Sequence, residues 1–287
     1  MSQSSAKNHP AINSNRHFVI NLGRAFAGAI LFSFPVIMTM EMWSLGFSID
    51  RYRLALFMFL AVPLLIGLSY FIGFEDTSCL MDDVIDAFVA YAVGFTTAAV
   101  FLLLFNVMNF EMSADEIIGK ISIQAVIAAI GAMLAQSQLG THSAEEDEES
   151  DSETKRRNTS YFGELFLMAV GAIFLAMNPA PTEEIILISF KMSDAHVIVL
   201  ALFTLVLTHI FVYKVEFRGQ HDRGDESIWN VFFRFTVVGY ALALLISLYL
   251  VWTFGHTDGL SAENIVKITV VMAFPASLGA AASRLIL

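Results

Sequence analysis

Long apolar runs separated by short polar segments dominate the chain. A bilayer core of roughly 30 Å needs about 20 apolar residues in one helix, and eight runs approach this length. Their approximate limits are 25–47, 52–74, 87–110, 117–138, 161–180, 195–215, 229–254 and 264–287. The pattern therefore predicts an all-α polytopic membrane protein with about eight transmembrane helices.

Prolines interrupt two of these runs at similar depths. Pro35 lies in the first run, and Asn178-Pro-Ala-Pro181 interrupts the fifth, which otherwise continues to Phe190. Proline lacks a backbone donor and breaks or kinks a helix. Non-helical backbone at membrane depth is tolerated where it lines a cavity. We therefore expect two broken helices next to a pathway.

The two halves of the chain match each other at fixed offsets. A shift of 143 positions superposes residues 39–74 on 182–217 without a gap, and a shift of 148 pairs residues 113–117 with 261–265. Each half holds four spans, so both halves begin on the same side of the membrane. They would be related by a pseudo-twofold axis along the membrane normal. The sequence predicts two same-orientation four-helix repeats.

The predicted boundaries give four segments. A disordered N-terminal tail covers residues 1–16, the repeats cover 17–139 and 161–287, and an acidic linker covers 140–160. Seven acids lie between Glu145 and Glu153, where like charges keep the chain extended. We interpret the linker as a solvated tether, with a sensor of divalent cations as the alternative.

Basic residues indicate the orientation of the chain. Lys and Arg concentrate on the cytoplasmic side of membrane proteins, and eleven of the sixteen lie on the side of the N-terminus. Both termini are therefore predicted to be cytoplasmic. The opposite side is called the outer side below.

Composition excludes several classes of protein. Hydrophobic residues make up 56% of the chain, charged residues 15%, and the mean hydropathy is +0.67. The net charge of -11 mostly describes the linker, so nucleic acid is not an expected partner. The single cysteine, Cys79, excludes an intramolecular disulfide and a cysteine-based metal cluster. Enzyme motifs are missing, so we expect neither an enzyme nor a cofactor.

A pair of carboxylates provides the main functional hypothesis. Glu41 and Glu184 are matched by the repeat and lie in the outer third of their spans. Thr39 and Thr182 precede them by two residues and offer hydroxyl oxygens. Ionisable groups inside membrane spans are costly, and acidic rings select cations. Oxygen-rich surroundings suit hard cations such as Na⁺, K⁺ or Ca²⁺. The alternative is that both glutamates lie among the lipid headgroups.

Three further residues are candidates for the pathway. Asp86, matched by Asn230 at a shift of 144, could line its inner entrance, although acids at a helix start also stabilise the helix dipole. His209 is the one histidine well inside a predicted span. It could relay protons because its ordinary pKa is near neutrality. The alternative is a packed, hydrogen-bonded side chain.

Spans four and eight share two other features. Lys120 and Lys267 lie near their outer ends, where long stems can reach water. Small residues give the same spans flat faces that let backbones approach closely, and we expect these faces to form contacts between repeats or subunits of a homo-oligomer. They are Ala125, Ala128, Ala129, Gly131, Ala132, Ala135, Ala276, Ser277, Gly279, Ala280 and Ser283.

Several stretches carry a family resemblance. The chain resembles a bacterial family of integral membrane proteins classed as a domain of unknown function, which implies a location in the bacterial inner membrane. The residues that carry the resemblance are Gly23-Arg-Ala-Phe26, Met38-Thr-Met-Glu-Met-Trp43, Arg53-Leu-Ala-Leu56 and Leu64-Leu-Ile-Gly-Leu-Ser-Tyr70.

Taken together, the patterns predict a cation channel or cation transporter. Glu41 and Glu184 would form an outer constriction and replace hydration of the ion. The expected partners are inorganic cations and membrane lipid. The alternative is a non-transporting membrane scaffold or sensor, in which the broken helices mediate oligomer contacts.

Overall fold

The computed structural model describes residues 10–72, 80–139, 161–214 and 228–286. Every regular element in these ranges is helical, which confirms the predicted all-α class. Residues 10–16 of the predicted tail belong to the first helix. The predicted linker, 140–160, and residues 1–9 lie outside the described residues.

The first half contains one short helix among four long ones. The short helix α2 is separated from α1 by the first predicted break. The helices are α1 (Pro10–Ile37), α2 (Met40–Ser48), α3 (Arg51–Ile72), α4 (Leu80–Leu104) and α5 (Ala114–Leu139).

The second half has the same order of long and short helices. Its third predicted span, 229–254, contains a π-helical segment between two α-helical ones. The elements are α6 (Tyr161–Ala176), α7 (Glu184–Lys191), α8 (Asp194–Lys214), α9 (Ile228–Val231), the π segment (Phe232–Val237), α10 (Val238–Thr253) and α11 (Ala262–Ile286). This order is what the repeat hypothesis requires, and the repeat itself stays a prediction.

Seven helices in the described ranges are long and apolar enough to cross a membrane, by length and composition. They are Val19–Ile37, Arg51–Phe71, Leu80–Leu104, Ala114–Ala135, Asp194–Val212, Trp229–Thr253 and Ala262–Ser283. The helix α6 has 16 residues, or about 24 Å at 1.5 Å per residue. The predicted first span, 25–47, is not continuous, because the chain leaves the helix after Ile37 and restarts at Met40.

One helix lies at the centre of each half. α5 packs against α1, α2, α3 and α4, and α11 packs against α6, α7, α8 and α10. In the span Ala114–Ala135, 83% of the most apolar stretch of 18 residues is buried. All residues from 122 to 135 are buried. A helix that is apolar on every side belongs in such a core.

Glycines let the central helix cross its neighbour closely in each half. A Cβ on Gly28 of α1 would meet the carbonyl oxygen of Gly131 on α5, and a Cβ on Gly171 of α6 would meet that of Gly279 on α11. Gly171 follows Gly28 by 143 positions, and Gly279 follows Gly131 by 148. The small faces at these crossings therefore pack inside each half, where we had expected a contact between repeats or subunits.

Aromatic contacts join the two halves. Phe32 of α1 meets Phe174 of α6 edge to face at 5.3 Å, and Phe57 of α3 meets Phe254 at 6.0 Å. A cavity of about 60 Å³ lies beside Phe32 and Phe174. Ser283 is the one polar residue among the residues that line it. This cavity is not suited to an ion.

Candidate functional site

The first break lies between α1 and α2 and is closed by two side-chain donors. The Thr39 hydroxyl donates to the carbonyl oxygen of Val36 at 2.7 Å, and the Trp43 indole Nε1 donates to that of Ile37 at 2.6 Å. Helix ends leave carbonyl groups without helical partners. The Val36 carbonyl also accepts from the backbone N–H of Thr39 at 3.1 Å, and the indole satisfies the carbonyl of Ile37.

The second break, between α6 and α7, is closed at the matching positions. The Thr182 hydroxyl donates to the carbonyl oxygen of Pro179 at 2.8 Å. His256 Nε2 lies 2.9 Å from the carbonyl oxygen of Ala180 and donates to it. Pro179 and Ala180 follow Val36 and Ile37 by 143 positions, so the same two carbonyls are satisfied in each half. A tryptophan from the next helix does this in the first half, and a histidine from a distant loop does it in the second.

The paired glutamates begin the short helices that follow these breaks. Glu41 is half-buried in the first turn of α2, and Glu184 is exposed in the first turn of α7. The positive end of the helix dipole favours a carboxylate at this position. Among the described residues, neither side chain has a hydrogen bond or an ion pair. α2 packs on α5 and α7 packs on α11, so the two carboxylates lie on different helix pairs.

Asp86 lies in a polar contact between α3 and α4. The Ser69 hydroxyl lies 3.1 Å from Asp83 Oδ1 and 3.2 Å from Asp86 Oδ2. Asp83 is buried and Asp86 half-buried. The hydroxyl has one proton, so it donates to one carboxylate at a time. Asn230 is exposed on α9. A role of Asp86 and Asn230 at the inner entrance stays a prediction.

His209 packs against the π segment. Its Nδ1 lies 3.0 Å from the Thr236 hydroxyl oxygen, and its ring meets Phe232 edge to face at 5.2 Å. Thr236 is fully buried. This setting is that of a packed, hydrogen-bonded histidine, and the proton relay stays a prediction. π-helical turns often occur at functional sites.

A polar stripe on α5 is the main feature that sequence reasoning missed. Glu116, Lys120 and Gln124 follow at intervals of four, so they share one face of the helix. Lys120 Nζ lies 2.7 Å from Glu116 Oε1 and donates to the carbonyl oxygen of Val107 at 3.1 Å. Its side chain is 8% exposed, so Lys120 does not extend to water as we had expected. Counting the interval of four along α5 from Lys120 would have revealed the stripe.

Lys267 occupies a more exposed setting in the second half. Its Nζ lies 2.7 Å from both Asp194 Oδ1 and Glu263 Oε1, and these carboxylates are largely exposed. The Lys267 side chain itself is 16% exposed, compared with 8% for Lys120. The two halves therefore place their matching lysines in different surroundings.

The loop between α10 and α11 connects the two halves on the outer side. Arg53 of α3 donates two hydrogen bonds to the Asp258 carboxylate, at 2.8 and 3.0 Å, and a third to the carbonyl oxygen of Trp252 at 2.9 Å. His256 of the same loop donates the hydrogen bond to Ala180 at the second break. Burial lowers the pKa of His256, and its bond to Ala180 and the nearby Glu183 oppose this change.

The described residues contain no group of three or more His, Cys, Asp or Glu side chains that could hold a metal ion. The fold and these polar positions define an all-helical, multi-pass integral membrane protein. The chain belongs to the family described as "Putative integral membrane protein (DUF2391)", which matches residues 21–287. This confirms the resemblance found in the sequence. Comparison with curated proteins gave no match, and neither did comparison with solved structures.

Proposed function

We propose that the protein moves an inorganic cation across the bacterial inner membrane, as a channel or as a carrier, with both termini in the cytoplasm. One observation supports this most. In each half a carboxylate begins a short helix directly after a helix break, and the two positions are 143 residues apart. Broken helices with polar groups at membrane depth are typical of transport proteins.

The hydroxyl groups at the breaks are compatible with a cation. Thr39 and Thr182 use their protons to bind carbonyl oxygens. Their oxygens keep lone pairs that can accept, because a hydroxyl has one donor proton and two acceptor sites. Glu41 and Glu184 then supply negative charge near each break. In this proposal the protein catalyses no chemical reaction.

Flux into liposomes tests the proposal. Purified protein is reconstituted, and uptake of K⁺, Na⁺, Ca²⁺ and H⁺ is measured for the natural sequence, Glu41→Gln and Glu184→Gln. We expect at least one cation to enter and both variants to reduce its uptake by about tenfold, the size of losing about 1.4 kcal/mol of charge stabilisation. Saturation with concentration, coupled to a proton gradient, would indicate a carrier.

Neighbouring acids provide matched controls. Glu183→Gln removes an exposed carboxylate beside Glu184, and Glu111→Gln removes one from the α4–α5 loop. Both should leave uptake unchanged. Equal losses in all four variants would mean that surface charge attracts the ion without a specific site. No uptake of any of the four cations would favour the scaffold or sensor.

A further inference from the structure

Two buried polar side chains in the first half have no hydrogen-bond partner. Gln124 of α5 is fully buried, and neither Nε2 nor Oε1 of its amide is bonded. Thr97 of α4 is 3% exposed, and its hydroxyl is also unbonded. Other threonines in the spans, such as Thr96 and Thr204, donate to the carbonyl four residues earlier. Thr97 does not.

Gln124 lies at the middle of its span. It is the eleventh residue of the 22-residue span Ala114–Ala135, or about 15 Å from the first residue. An unbonded amide inside a membrane protein is expensive, because a buried polar group without a partner has lost its hydrogen bonds to water and gained none in return. A polar ligand at this position removes that cost.

Helix geometry places Gln124 at the depth of the first break. Gln124 precedes Gly131 by seven residues, or two turns, so both lie on the face of α5 that crosses α1. α1 runs in the opposite direction, and moving seven residues outward from Gly28 reaches Pro35. The break begins two residues later, after Ile37. Gln124 is therefore at the depth where α1 stops being a helix.

Thr97 lies at a similar depth on α4, which packs against both α5 and α1. Gly94 of α4 approaches the backbone of Ala125 and Ala129, and Thr97 is about one turn further outward. At the same level, the described residues of the second half include no such amide. Met272 follows Gln124 by 148 positions and is fully buried. The unbonded amide is thus a property of the first half.

We propose that Gln124 and Thr97 are a hydrated site in the middle of the membrane. The ligand is water, because an amide offers a donor and an acceptor and water can satisfy both. The stripe of Glu116 and Lys120 connects this site to the outer side, and its opposite charges compensate each other. In this proposal a partly hydrated cation crosses the middle of the membrane between the first break and Gln124. This last step rests on the proposed function, whereas the hydration does not.

Cysteine reactivity tests the hydration directly. In a Cys79→Ser background, Gln124→Cys and Met272→Cys place a thiol at the matched positions of the two halves. N-ethylmaleimide reacts with the thiolate, and apolar surroundings suppress thiolate formation. We expect Gln124→Cys to react at least about tenfold faster than Met272→Cys, as for a difference of one pKa unit between the thiols. Equal rates, or an inert Gln124→Cys, would overturn the proposal.

A second variant is used if Gln124→Cys does not fold, as judged by its elution in size-exclusion chromatography. Thr97→Cys is then compared with Met272→Cys, and we expect it to react faster with N-ethylmaleimide. Equal rates, or an inert Thr97→Cys, would overturn the proposal.

Flux of Gln124→Met separates this proposal from the proposed function. This variant gives the first half the residue of the second, and we expect it to reduce cation uptake by about tenfold while the protein stays folded. A reactive Gln124→Cys in a protein without cation flux would keep the hydrated site and reject transport. Flux that depends on Glu41 but not on Gln124, together with an inert cysteine, would keep transport and reject the site.

Discussion

The two halves share the way their helices cross but differ in what their central helices bury. Gly28 and Gly131 in the first half correspond to Gly171 and Gly279 in the second, and both pairs bring backbones into contact. At the depth of the break, however, α5 carries Gln124 and α11 carries Met272. Packing is thus common to both halves, and so are buried hydroxyl groups without a hydrogen bond, whereas the unbonded amide of Gln124 belongs to the first half. A pathway for ions need not use the halves equally.

The largest expected effect tests the shared part of this comparison. Gly28→Val and Gly171→Val each place carbon atoms against the facing backbone, and both should destabilise the protein by about 3 kcal/mol or more. Thermal unfolding in detergent measures the loss. Gly23→Val is the control, because a Cβ on Gly23 meets no atom within 4 Å. If one crossing tolerates valine and the other does not, the halves do not pack alike.

The next effect tests the difference between the halves. Lys120→Met leaves the partly buried Glu116 without its partner and should cost about 3 kcal/mol of unfolding free energy, as when a buried pair loses one member. Lys267→Met should cost less, because the carboxylates that it leaves are exposed to solvent. Unfolding by denaturant in detergent gives both values. Equal losses would contradict the different burial of the carboxylates that pair with the two lysines.

The smallest effect concerns the pH dependence of the two breaks. His256 has a lowered pKa in the folded protein, so the unfolded chain binds its proton first as the pH falls. Stability should be constant above the ordinary value of 6.5, decrease as the pH drops below it, and level off below the lowered folded pKa. Trp43, which closes the first break, does not titrate in this range.

The control for this effect is His256→Gln, whose amide can still donate to Ala180. Melting temperatures between about pH 7.5 and 5 should show that this variant lacks the histidine contribution while the natural sequence keeps it. The same acid slope in both proteins would assign it to another group, with Glu183 as the neighbour to test next.

Much of the architecture was predictable from the chain alone. Apolar runs of membrane length predicted the spans, and Pro35 and Pro181 predicted two interruptions. Both interruptions occur, close to the expected residues. The role of the residues around them was harder to predict. Thr39 and Thr182 were expected to offer oxygens to an ion, and the structure uses their protons to close the breaks.

Helix neighbours account for what the sequence did not reveal. The lysine on α5 looks like any lysine near the end of a span, but the α4–α5 loop covers it and provides the carbonyl of Val107. His256 is distant from Ala180 in the chain, so no local pattern connects them. The same is true of Arg53 and Asp258.

The sequence by itself determined that this protein enters a membrane, where its helices break, and that a carboxylate follows each break. These properties depend on local composition and on the missing backbone donor of proline, and both can be read from neighbouring residues in the chain. The tertiary structure alone decided that Lys120 and Gln124 are enclosed while the carboxylates that pair with Lys267 stay exposed to solvent. Burial depends on which helices surround a residue, and only the folded arrangement places α1 to α4 around α5.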